Sequence, residues 1–105
     1  MDKRKFPRFT INLPVILRHK GRLIPATANN LSCGGMFIAV DSVDISVEHP
    51  VEVIFDLDDN KDLSLRGQIT RVEFGDNTSG LGVQFTNLFS DSHKAVQKFI
   101  NSNLN

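Results

Sequence analysis

Apolar residues recur at every second position in short segments along most of this chain, and that period of two is what most limits its fold. Ile11, Leu13, Val15 and Leu17 alternate in one segment, Val51, Val53, Phe55 and Leu57 in another, and Leu81, Val83 and Phe85 in a third. A strand so patterned buries one face and wets the other. Turn signals separate the segments. Lys20-Gly21 reverses the first strand into an extended run over 22–30, Gly34-Gly35 ends that run, and a third strand follows over 36–40. Beyond a polar connection, the segment 51–57, the turn Asp58-Asp59-Asn60-Lys61 and a long run through Leu63, Leu65, Ile69, Val72 and Phe74 read as a hairpin. Its apolar phase slips between Ile69 and Val72, which predicts a bulge or a strand bending round a corner. Gly75-Asp76-Asn77 and Ser79-Gly80 lead into the last strand. Only the tail departs from this rhythm: after a Ser90 cap, Val96, Phe99 and Ile100 stand at helical spacing and predict a helix over 90–102 that packs on the strands or covers one end of them. About six short strands with frequent turns argue for an antiparallel barrel or sandwich, and closure removes the edges on which strands aggregate.

A chain of 105 residues has room for one compact domain with one modest core. No apolar run approaches the roughly 20 residues a membrane-spanning helix needs, and the charged start is unlike a signal sequence, so the expected location is the cytoplasm. Cys33 is the single cysteine, which fits a reducing compartment and reads as a small residue tucked into a turn. The formal charge is zero, yet the charges are sorted. Lys3, Arg4, Lys5, Arg8, Arg18, Lys20 and Arg22 stand against only Asp2 in the first 40 residues, while Asp41, Asp44, Glu48, Glu52, Asp56, Asp58, Asp59 and Asp62 stand against Lys61 alone in the next stretch. The asymmetry points to an anionic partner at the N-terminal end.

Two short motifs are candidates for recognition chemistry, the first of which also reads as a frayed basic terminus that binds nothing in particular. In Arg4-Lys5-Phe6-Pro7-Arg8 two arginines flank three residues, and Pro7 biases Phe6 toward an extended backbone. Each guanidinium can grip a phosphate through paired hydrogen bonds, meet the O6 and N7 edge of guanine, or stack on its face. In Asn30-Leu31-Ser32-Cys33-Gly34-Gly35 two short polar side chains precede a glycine pair at a strand junction. Asn30 and Ser32 can bond a base edge or phosphate or satisfy their own backbone, and Gly35 allows a positive backbone dihedral or the close approach of a ligand.

Together the two motifs resemble the PilZ family, in which an RxxxR strap before the first strand and a (D/N)xSxxG loop between the second and third jointly bind cyclic di-GMP. No motif position is substituted here, and Gly80-Leu81-Gly82-Val83-Gln84-Phe85 is similar to the family's final barrel strand before its C-terminal helix. The resemblance implies a mainly β fold, a six-stranded antiparallel barrel with a C-terminal α-helix: a flexible strap over 1–9, a barrel over 10–87 and a helix over 90–102. It implies Arg4 and Arg8 for guanine and phosphate, Asn30 and Ser32 for base edge and backbone, and Gly35 for loop shape. Lys5, Cys33 and Gly34 lie between motif positions and would touch ligand through backbone or charge. Lys3 stands where PilZ proteins set whether one ligand or a stacked pair is held, and a lysine leaves that open. The expected role is a bacterial second-messenger receptor, not an enzyme, needing no cofactor besides its ligand and signalling to a protein partner that the sequence does not identify. A PilZ-like adaptor without ligand is the alternative.

Other signals are weaker. Asp56, Asp58, Asn60 and Asp62 alternate like the start of a calcium loop, but Lys61 stands where the turn requires Gly and Gly67 where a bidentate Glu should close the site. His19, His49 and His93 have no paired spacing and read as surface residues without a metal. No G-x-S-x-G elbow or P-loop is present. A small nucleic-acid-binding barrel is a further alternative, opposed by the aromatics: all eight are Phe, mostly on apolar phases, which leaves few for a stacking platform.

Overall fold

A computed structural model describes residues 9–41, 45–75 and 78–103. Six strands come first and a helix last: β1 (Phe9–His19), β2 (Arg22–Leu31), β3 (Gly35–Asp41), β4 (Pro50–Leu57), β5 (Asn60–Phe74), β6 (Thr78–Phe85) and α1 (Asp91–Asn103). All neighbouring strands are antiparallel, and the order β1-β2-β3-β6-β5-β4 closes on itself as a barrel rather than splitting into a sandwich. The closing seam is short, with Ile16, Leu17 and Arg18 opposite Ile54, Val53 and Glu52. On its outer side the Arg18 guanidinium lies 3.2 Å from the Glu52 carboxylate.

The turns follow from local chemistry. His19 pairs with Arg22 across a two-residue turn in which Lys20 (φ 53°) and Gly21 (φ 77°) are both left-handed, the form whose twist matches that of the strands it joins. The β4–β5 turn is tighter than the sequence suggests. Leu57 pairs with Asn60, so Asp58 and Asp59 alone make the turn, and a bulge follows in which Asp62 (φ 55°) gives its N–H to Asp56 Oδ1 at 2.8 Å. One of the alternating carboxylates thus serves its own hairpin, and among the described residues no group of three or more His, Cys, Asp and Glu is disposed to hold a metal. The slip of apolar phase near Ile69 is a bulge: the β5–β6 register shifts between Ile69 and Arg71.

Inward positions of every strand fill the barrel, and Leu17, Ile38, Val53, Leu65 and Leu81 are wholly buried. Each contributes about 1.5–3 kcal/mol by leaving water. Val96 and Ile100 of α1 join the same core, and the helix lies nearest β4 and β5. Ser90 caps it, its Oγ accepting the His93 N–H at 3.1 Å. The Ser64 N–H to Ser92 Oγ and Arg66 N–H to Asn87 Oδ1 bonds, both 3.0 Å, pin the helix entry to β5. No helix among the described residues is long and apolar enough to cross a membrane.

The histidines correct the sequence reading, because two of the three are buried rather than at the surface: His19 is 2% and His93 3% exposed. His19 falls on the inward phase of β1 after Val15 and Leu17, and burial is tolerated because both ring nitrogens find backbone partners. Nδ1 donates to the Pro50 carbonyl at 3.3 Å and Nε2 accepts the Ser46 N–H at 3.1 Å, which tethers the segment that leads into β4. His19→Leu keeps the volume but leaves both backbone groups without their partner, and is expected to lower unfolding free energy by about 1–3 kcal/mol in urea denaturation.

Candidate functional site

The loop between β2 and β3 is held in one shape by its own serine. Ser32 is buried, and its Oγ accepts the N–H groups of Gly34 and Gly35 at 3.1 and 3.2 Å. The Ser32 N–H donates to the Gly35 carbonyl at 2.8 Å, while the hydroxyl donates to the same carbonyl with Oγ and O 3.4 Å apart. The two lone pairs are therefore engaged inside the loop, and the O–H makes the longest of the bonds that Ser32 forms there. Two further carbonyls of the loop are tied to the rest of the protein. Gly34 O accepts the Phe85 N–H of β6 at 2.8 Å, and Cys33 O lies 2.5 Å from His93 Nε2 of α1.

Gly35 is needed for close packing of backbone and not for a positive dihedral. Its φ is not in the left-handed region, where Gly21 stands. A Cβ at Gly35 would lie 2.1 Å from the Val83 carbonyl oxygen, so it is the β6 backbone that approaches closely. Burial pushes the thiol of half-buried Cys33 above its ordinary value, which keeps it protonated and inert, as a residue tucked into a turn should be.

Asn30 is aimed by irregular pairing. The register shifts between Ala28 and Asn30 against β3, so that Asn29 is extra, and again between Thr10 and Leu13 on the β1 side. An extra residue reverses the alternation that would have sent Asn30 inward with Ala28, and Asn30 is half-buried while Leu31 takes the interior. The same register sets Thr10 opposite Asn30 and Phe9 opposite Leu31. The chain therefore enters the barrel beside this loop, and the ring of Phe9 meets Phe99 of α1 edge-on at 5.7 Å. Lys3, Arg4, Lys5 and Arg8 lie outside the described residues.

The sequence reading missed the outer face next to Asn30. Phe37, its partner on β3, lies half-buried on the outside against Gly80, with the Arg71 guanidinium 5.4 Å above its ring. A hollow of about 240 Å³ lined by Asn29, Phe37, Glu73 and Phe74 among others adjoins it. The alternation of Met36, Phe37 and Ile38 was the available signal, since it turns Phe37 outward. Of the aromatics, Phe55 and Phe85 are buried, whereas Phe74 and Phe89 are 85% and 93% exposed. The helical spacing of His93, Val96 and Ile100 was a signal that His93 faces inward, but nothing in the sequence pointed to the carbonyl it holds, 60 positions away.

Gly35→Ala cannot keep this geometry without moving β3 from β6, and a loss of about 3 kcal/mol or more in denaturation is the expected result. Alkylation of Cys33 by iodoacetamide should be slower than that of a free cysteine at neutral pH and should reach its plateau at a higher pH, because only the thiolate reacts.

The sequence profile of the PilZ domain matches residues 2–102. No functionally curated protein matches the chain in sequence. Among solved structures, the Bacillus subtilis inhibitor of motility MotI/DgrA superposes with a TM-score of 0.79 at 17% identity, covering 99% of this chain and 52% of that one. The chain thus spans about half the length of that protein. The PilZ domain of YcgR from Escherichia coli, solved with c-di-GMP, gives a TM-score of 0.76 at 17% identity over 96% of this chain and 91% of that one. PlzA from Borreliella burgdorferi, also in complex with c-di-GMP, gives 0.67 at 14% identity over 93% and 41%. With a six-stranded closed barrel, a C-terminal helix and a profile match over nearly its whole length, this chain belongs to the PilZ domain family.

Proposed function

We propose that the chain is a receptor for cyclic di-GMP that binds its ligand without chemically changing it and passes the signal to a protein partner. The observation that carries this reading is the β1–β2 register: Phe9 lies opposite Leu31, so the residue directly after Arg8 sits beside the Ser32 loop. A ligand with two phosphates and two guanines can then be met from both sides, by Arg4 and Arg8 of the basic segment and by Asn30, Ser32 and the glycine-bounded backbone of the loop. Arg4 and Arg8 supply charge-assisted forks to phosphate and to the guanine O6 and N7 edge. Asn30 supplies amide donors and an acceptor, Ser32 its O–H, and Gly35 lets β3 leave the loop close to β6. Lys3 and Lys5 add attraction for the phosphates, and Cys33 and Gly34 offer backbone. The ligand complexes of the YcgR domain and of PlzA support the ligand class. A reducing, intracellular setting fits both the unpaired Cys33 and a second messenger.

Calorimetric titration tests the reading, with GTP, cyclic di-AMP and a single-stranded oligonucleotide as controls. Saturable binding of cyclic di-GMP alone is expected, with affinity falling as salt rises. Arg8→Ala should weaken it by about tenfold or more, the worth of one charge-assisted contact. A molar ratio of one or of two distinguishes a single ligand from a stacked pair. Absence of binding by the wild type, or unchanged binding by both Arg4→Ala and Arg8→Ala, would overturn the proposal.

A further inference from the structure

α1 does more than fill the core. Its first turn carries His93, 3% exposed, whose Nε2 stands 2.5 Å from the Cys33 carbonyl oxygen in the middle of the β2–β3 loop. A carbonyl only accepts, so the ring hydrogen is on Nε2. The other nitrogen, Nδ1, is buried with no hydrogen-bond partner among the described residues. An orphaned polar atom is costly, and an apolar ring could lie edge-on to Phe85, as the imidazole does at 6.3 Å, without that cost. What the histidine adds is the single donor directed at Cys33. That donor restrains the only carbonyl between Ser32 and Gly34, in a loop whose neighbouring carbonyls at Gly34 and Gly35 are held by Phe85 and by Ser32. The helix also reaches the other approach to the loop, through Phe99 against Phe9.

We propose that His93 is a positioning residue for the ligand-binding loop, pre-setting Ser32, Gly34 and Gly35 in the shape that receives ligand, and that α1 is thereby part of the frame of the site. The ligand half of this inference rests on the cyclic di-GMP reading above; the loop half does not. A rigid loop is already ordered before binding, and an unheld one must be ordered at the ligand's expense.

Amide hydrogen exchange in the ligand-free protein and calorimetry with cyclic di-GMP test it on the full chain. His93→Phe keeps the ring against Phe85 and removes the donor. It should speed exchange of the Ser32, Gly34 and Gly35 amides and weaken ligand, each by about tenfold, as loss of one buried hydrogen bond implies. Amides of Val53 and Leu65 in the core should exchange as before. His93→Gln, whose amide nitrogen occupies nearly the place of Nε2, should restore both readouts, which a purely space-filling role would not predict. If His93→Phe does not fold, His93→Asn, too short to reach Cys33, takes its place. Unchanged loop exchange in the donor-less variant, or failure of His93→Gln to rescue, would overturn the proposal. If the wild type binds no cyclic di-GMP, the ligand reading fails, and the exchange data on the free protein alone decide whether His93 holds the loop.

Discussion

Closure of the sheet is the constraint on which the rest of this molecule depends. A twisted six-stranded sheet becomes a barrel only if its outer strands, β1 and β4, meet, and here they do so over three residue pairs centred on Leu17 and Val53. Curvature sufficient for that comes from bulges, which bend a strand and reverse its alternation. The register shifts on β1 and β2 adjoin Asn30, and the one on β5 adjoins Arg71, which covers Phe37. The devices that close the barrel therefore also turn polar and aromatic side chains onto its outer wall. Gly35 belongs to the same geometry, because the strands converge there until a methyl group would meet the Val83 carbonyl.

Around that wall the polar groups are arranged to hold backbone in place. Ser32 ties its own loop, His93 and Phe85 tie the carbonyls of Cys33 and Gly34, and His19 does similar work for the connection into β4. Both buried histidines thus act as backbone partners rather than as surface residues. In the proposed receptor, recognition is divided between this pre-formed loop and the arginines of the basic N-terminal segment. The loop supplies shape at little entropic cost on binding, and the arginines supply charge.

Local chemistry made much of the fold legible. The alternation of Val51, Val53, Phe55 and Leu57 states which face is buried, Lys20-Gly21 states a primed turn, the phase slip after Ile69 states a bulge, and Ser90 states a helix start. Each is a relation between residues a few positions apart, governed by strand and helix periods and by backbone sterics. The motif residues Asn30, Ser32 and Gly35 were legible in the same way, as a short pattern at a strand junction, although the pattern did not say that Ser32 engages its lone pairs inside the loop.

What only the tertiary structure decided are relations between distant residues. That the sheet closes as a barrel, that Gly35 is demanded by Val83, that the bulge at Asn29 aims Asn30, and that His93 bonds a carbonyl 60 positions away all depend on strand order and register. The same holds for His19 and His93, whose burial overturned their reading as surface residues: both stand on the inward phase of their elements, but a histidine is kept there only where folding brings backbone groups within reach of its ring. Sequence alone determined the period-two core, the turns and the basic segment with its polar loop, because these are short-range preferences; the convergence of loop, β6 and α1 was decided by packing, because no local preference encodes a contact that exists only once the barrel has closed.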